Sequence, residues 1–161
     1  MKPRSPRVVE LLNAALTTEL TAINSYFLTA RILDNRGFGK LGKVFYELSI
    51  GEMKDADALI ERILLFDGHP NLQKLDPLQV GEEPKEMLEL SRDWEYKAVD
   101  QFNDAANECH ELGDHASAAV FEEMARDEEG HADWFEGQLD AIARVGIENY
   151  LAQQVPVGEA P

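Results

Sequence analysis

The sequence has a single cysteine, Cys109, so no disulfide can form within the chain, and no Cys-x-x-Cys pair is available to hold zinc or a rubredoxin-type iron centre. That usage predicts a reducing compartment, the cytoplasm, with Cys109 as a small core residue. Long apolar runs are also missing. Nothing approaches the roughly 20 residues of a membrane span, and the basic start Met1-Lys2-Pro3-Arg4 is not followed by the apolar segment of an export signal. The expectation is a soluble, unexported protein with no membrane partner. Positive charge is scarce: 15 Lys+Arg against 31 Asp+Glu give a formal charge of -16. This argues against nucleic acid or an anionic membrane as a partner and suits the attraction of cations. Repeats and low-complexity tracts are absent. What is there is 161 residues with 44% hydrophobic content, enough for one domain over 1–161 with a real core.

Apolar periodicity predicts four long helices. Ser5 and Pro6 read as an N-cap and first-turn pair, opening a helix over about 5–35 that Gly37 and Gly39 end. Its inward stripe is Val8, Leu12, Ala15, Glu19, Ala22, Tyr26, Ala30 and Leu33. A second line, Leu16, Leu20, Ile23 and Phe27, predicts a contact with another subunit unless the helix is central in its own fold, because a helix that is apolar on two faces must bury both. The second helix, about 40–66, aligns Leu41, Phe45, Leu48, Glu52, Asp55, Leu59 and either Arg62 or Ile63. The third, about 84–112, aligns Leu88, Ser91, Glu95, Ala98, Phe102, Ala105 and Cys109. Gly113 ends it, and Asp114 caps a fourth helix over about 115–144. After Gly146, residues 147–155 predict a short fifth helix, and Pro156 to Pro161 a frayed tail. Between the second and third helices, Asp67 to Glu83 holds Gly68, Pro70, Pro77 and Gly81. About 17 extended residues span some 55 Å, and a helix of about 27 residues is near 40 Å long, so this segment can cross the whole bundle. The second and third helices are then parallel. The expected fold is all-α, a four-helix bundle with a long crossover and a short fifth C-terminal helix.

Each long helix carries a carboxylate near the middle of its core face: Glu19, then Glu52 with Asp55, then Glu95, then Glu128 with His131 one turn on. The last two stand in a stripe of Phe121, Met124, Phe135, Leu139 and Ile142. Burying one such acid costs several kcal/mol unless something compensates for it. Four at matching depth point to a shared compensating charge, and a metal is the partner that wants carboxylate and imidazole together. Oxygen-rich coordination with imidazole suits iron or manganese, while zinc usually takes fewer ligands. A dinuclear site with bridging carboxylates is the natural arrangement on four helices. Tyr26 stands open between two readings, a hydrogen bond to a ligand and a plain core tyrosine.

Five stretches carry a resemblance: Glu19-Leu20-Thr21-Ala22-Ile23-Asn24-Ser25-Tyr26-Phe27, Glu52-Met53-Lys54, Ile60-Glu61-Arg62-Ile63-Leu64, Pro70-Asn71-Leu72-Gln73, and Arg126 to Trp134. Over nearly all of Val8 to Leu151 the chain resembles bacterioferritin, the haem-containing branch of the ferritins. The resemblance implies the ferritin-like fold and a cytoplasmic cage of 24 subunits built from two-fold dimers. It implies a ferroxidase that oxidises Fe(II) and stores a ferric mineral, with Glu19, Glu52, Glu95, Glu128 and His131 as catalytic di-iron ligands. It also implies haem b at the two-fold interface, with Met53 as axial ligand and Leu20, Ile23, Asn24, Phe27, Tyr46 and Ile50 lining the pocket. Met53 lies one residue past Glu52 and so points about 100° away from the di-iron site. A ferredoxin-type reductant for iron release would be a further partner.

The sequence departs from the family at the sixth metal ligand. Where the family has Glu-x-x-His, this chain has Glu52-Met53-Lys54-Asp55. Five carboxylates and one neutral imidazole carry one negative charge more than two Fe(II) ions balance. Aspartate is also shorter than histidine, so both its reach to the metal and rapid oxidation come into question. Leu59 stands where relatives often carry tyrosine, and Glu47 and Gly51 replace polar groups of the inner surface. Three other readings stay open. One is a haem-bearing subunit with an impaired centre that co-assembles with a second bacterioferritin subunit. Another is a di-iron redox enzyme, a rubrerythrin-like peroxidase or a hydroxylase, which would need an electron donor. The third is a metal-free helical scaffold.

Overall fold

A computed structural model describes residues 1–157, and the last four positions of the expected tail lie outside the described residues. Five helices and no strand make up what is described: α1 Pro6–Asn35, α2 Gly39–Leu65, α3 Pro84–Glu111, α4 His115–Val145 and α5 Ile147–Gln154. Local chemistry sets the starts. Ser5, extended, accepts a hydrogen bond from the Arg7 N–H at 3.2 Å, with Pro6 in the first turn. Asp114 accepts from the Ser117 N–H at 3.0 Å at the head of α4. In the α1–α2 hairpin, Gly42 permits close contact, because a Cβ there would stand 2.5 Å from Asp34 Oδ1 and 3.0 Å from the Ala30 carbonyl oxygen.

Helix directions follow from side-chain contacts at the two ends of the bundle. Arg7, early in α1, donates to Glu108, late in α3, at 2.7 Å. Arg62, late in α2, donates to Asp114 and Ser117 at the start of α4 at 3.0 and 2.7 Å. Thus α1 opposes α3 and α2 opposes α4. With the short turns reversing direction within each hairpin, α2 and α3 run parallel, as the crossover length predicts. The crossover tracks along α1: Asn71 N–H donates to Asn13 Oδ1 at 2.8 Å, Asp76 N–H donates to Thr21 Oγ1 at 3.0 Å, and Arg36 donates to the Glu82 carbonyl.

Two apolar layers fill the bundle. One gathers Leu12, Leu16, Leu59, Ile63, Phe102 and Phe121, with Cys109 buried among them; the other gathers Tyr26, Leu33, Phe45, Leu88 and Phe135. The residues between these layers along each helix are the acids. The expected second apolar line of α1 is narrower than its periodicity suggests. Leu16 is fully buried in the chain's own core, and Leu20 and Ile23 are half-buried against it, so only Phe27 is left half exposed. Phe27 joins Tyr46 of α2, at 6.3 Å between ring centres, in an outward apolar strip. Among the described residues no helix is long and apolar enough to cross a membrane.

Candidate metal centre

Glu19, Glu52, Glu95 and Glu128 are all buried, and the fold brings them to one level of the bundle. Their ligand atoms fall into two overlapping groups, in each of which every atom lies within 4.8 Å of the others. One group is Glu52, Glu95, Glu128 and His131; the other is Glu19, Glu52, Asp55 and Glu128. Glu52 and Glu128 are common to both. The one-turn spacings 52–55 and 128–131 put the second residue of each pair on the same helix face as the first. His131 Nδ1 is 2.8 Å from Glu128 Oε2, 3.3 Å from Glu52 Oε1 and 3.9 Å from Glu95 Oε1. All six expected metal ligands therefore converge, Asp55 included, so its shorter side chain does not keep it from the group. The open choice at Tyr26 is resolved as well: its hydroxyl, buried, donates to Glu95 Oε1.

Both oxygens of Glu19 and both of Glu52 are buried with no hydrogen-bond partner. Buried polar atoms are nearly always paired, so orphaned carboxylates at the meeting point of four helices fit a cation between them. Burial first, and then the neighbouring carboxylates, pushes Glu19 and Glu95 well above the usual carboxylate range. Burial likewise raises Glu128, although its bond to His131 opposes the shift. Asp55 is pushed up to about 7, by burial and then by Glu52 and Glu128. Burial acts to lower His131, but the hydrogen bond to Glu128 and the charge of the nearby Glu52 carboxylate outweigh it and hold the imidazole up at about 11. Without metal the cluster keeps protons at neutral pH that a divalent cation displaces.

These shifts set the sign of a pH effect. Asp55 binds its proton more tightly folded than unfolded, so it destabilises the metal-free fold progressively as pH rises from its ordinary value of 3.8 towards about 7. His131 acts over a higher window, its stabilising charge being lost as pH rises from 6.5 through about 11. In chelator-treated protein, the gain in melting temperature from Asp55→Asn should be small near pH 4, grow through pH 5 and 6, and reach its full value above about pH 7. A gain independent of pH across that range would contradict the burial of this carboxyl.

The centre communicates with the surface. A depression of about 290 Å³ lined by Gly51, Lys54, Asp55, Arg126, Asp127 and His131 opens above it, and a second, of about 340 Å³, adjoins it through Gly51 and His131. A Cβ built on Gly51 meets nothing within 4 Å. Sequence periodicity had no means of finding Lys54 and Arg126 at this mouth, since both lie on exposed helix positions that follow no stripe.

On the outer side of α2, Met53 is 51% exposed and separates two shallow apolar depressions. One of about 490 Å³ includes Leu20, Ile23, Ile50 and Leu72; the other, of about 300 Å³, includes Asn24, Phe27 and Tyr46. Every residue expected around a haem lies on this one face. A half-exposed thioether amid apolar side chains fits an axial ligand to haem iron, the role Met takes in several haem proteins.

Residues 9–145 match the family described as ferritin-like domain. The chain is 46% identical over 145 residues to the bacterioferritin of Brucella melitensis biotype 1, covering 90% of each chain. It is 45% identical over 155 residues to the bacterioferritin of Rhodobacter capsulatus, covering 96% of each. With the bacterioferritin of Mycobacterium avium it shares 43% over 150 residues, 93% of this chain and 94% of that one.

Proposed function

The chain belongs to the bacterioferritins, and from that premise we propose how its residues serve an iron-storage cage. Fe(II) is the substrate. Two ions are bound between Glu52 and Glu128, one completed by Glu95 and His131, the other by Glu19 and Asp55, and electrons pass from the pair to dioxygen. The two overlapping ligand groups that share Glu52 and Glu128 support this reading. Tyr26 positions Glu95 through its hydrogen bond. Glu52 and Glu128, buried and close, spread their charge over both ions. The acidic chain as a whole, at -16, draws cations towards it.

Ferric product is stored as mineral inside the assembly, which we propose to be a 24-subunit cytoplasmic cage of two-fold dimers. At the two-fold interface haem b would lie between the Met53 thioethers of two copies. A neutral sulfur ligand favours reduced haem iron, which suits the passage of electrons from a ferredoxin-type reductant to the stored iron.

Asp55 makes the centre asymmetric. With five carboxylates the pair of sites is over-charged for two Fe(II), which favours retention of the ferric product or of a proton on Asp55 over turnover. This excess favours a second arrangement, a cage shared with another bacterioferritin subunit that carries the complete ligand set. Initial Fe(II) oxidation by the assembled protein, compared with Asp55→His under identical iron loading, tests both points. The wild type should exceed protein-free solution, and the variant should be faster again by roughly tenfold, about 1.4 kcal/mol of barrier. Equal rates in the two proteins would remove the role given to Asp55. No acceleration by either would remove the reaction.

A further inference from the structure

At the α3–α4 turn the fold brings together two imidazoles that the buried centre does not use. His110 lies in the last turn of α3 and His115 opens α4, and the turn between them depends on Gly113, whose φ of +73° a side chain rarely adopts. The Nδ1 atoms of His110 and His115 lie 3.1 Å apart, and the Nε2 atom of His110 lies 2.8 Å from Glu122 Oε1. The carboxylate fixes the tautomer. Glu122 can only accept, so in the neutral ring the His110 proton is on Nε2 and the Nδ1 lone pair faces His115.

From this juxtaposition we infer that His110 and His115 form a second, surface site for a first-row divalent cation, with Glu122 as the residue that orients it. Imidazole nitrogen suits zinc, iron, nickel and copper. At a metal–nitrogen distance of about 2.1 Å, two nitrogens on one ion stand about 3.0 Å apart at right angles and about 3.4 Å at the tetrahedral angle. The observed 3.1 Å falls between these values. The rings meet almost head-on, with centroids 5.3 Å apart, an arrangement in which one proton is shared. To take a metal instead, the exposed ring of His115 turns until its lone pair meets that of His110, held by Glu122, at a common centre. A histidine ligand whose other nitrogen donates to a carboxylate is the usual arrangement around bound metals, and His110 with Glu122 already has it. Water completes the coordination. The site is separate from the buried one: thirteen residues of α4 part His115 from Glu128, roughly 20 Å along the helix.

Zinc(II) is the probe. Crystals of the assembled protein soaked in zinc(II) should show an anomalous peak within bonding distance of both Nδ1 atoms. In His115→Ala that peak should vanish while zinc among Glu52 and Glu128 persists. In solution, equilibrium dialysis should find one zinc fewer per subunit in His115→Ala, and binding at the pair at least about tenfold weaker in Glu122→Ala. Both positions are exposed, and circular dichroism verifies the fold of each variant. Absence of zinc at the pair when the buried centre is filled would overturn the proposal, as would a zinc count unchanged by His115→Ala.

Discussion

Glu52→Met is expected to abolish Fe(II) oxidation and, in the same protein, to raise the melting temperature of the metal-free form. The two effects share a cause. Glu52 belongs to both ligand groups, so its loss disrupts both iron positions, and the initial rate should fall by at least about a hundredfold, some 2.7 kcal/mol. In the metal-free protein the same carboxyl is fully buried with neither oxygen hydrogen-bonded, crowded by other acids and with the His131 imidazole 3.3 Å from Oε1. Replacing a buried charge cluster by apolar groups of similar volume is stabilising by about 1–4 kcal/mol in several proteins, and methionine matches glutamate in length. A binding site is the reason a fold keeps a charge that harms its own stability. Calorimetry on chelated protein and stopped-flow oxidation on the same preparation measure both effects. A lower melting temperature would mean that Glu52 is structural.

Met53→Leu should remove haem from the protein, from one per two subunits to none, while the assembly and the initial Fe(II) oxidation rate stay unchanged. Leucine preserves the volume and apolar character of the strip but has no lone pair to offer iron. Because Met53 lies on the outer side of α2 and the acids on the inner side, the oxidation centre should not sense the change. Release of stored iron by an external reductant should slow if electrons reach it by the proposed path through haem. Haem absorbance that survives the substitution would show that another residue ligates the iron.

The sequence reveals the bundle because its signals are local and repeated. Stripes such as Leu88, Ser91, Glu95, Ala98 and Phe102 keep one phase over a whole helix, and all five residues are buried. The parallel course of α2 and α3 is legible too, because a connection of that length needs somewhere to go. Acids on four inward stripes announce the centre without any knowledge of distance. Phase alone does not say how close neighbouring helices come. Leu16 therefore reads as an outer residue although it is fully buried in the chain's own core, and the reach of Asp55 stays open until α2 is set against α1 and α4. The pairing of Tyr26 with Glu95 joins residues 69 positions apart, beyond any periodic argument. His110 and His115 escape notice for another reason: they belong to different helices, and only the turn at Gly113 makes them neighbours.

Six residues on four helices are placed to hold two iron ions between shared carboxylates, and a crystal structure after anaerobic Fe(II) soaking would display them. The expected result is two iron peaks per subunit, both within bonding distance of Glu52 and Glu128, one also bound by Glu95 and His131 and the other by Glu19 and Asp55. A single iron at the His131 side with Glu19 and Asp55 left unligated, or no iron among the buried acids, would contradict it.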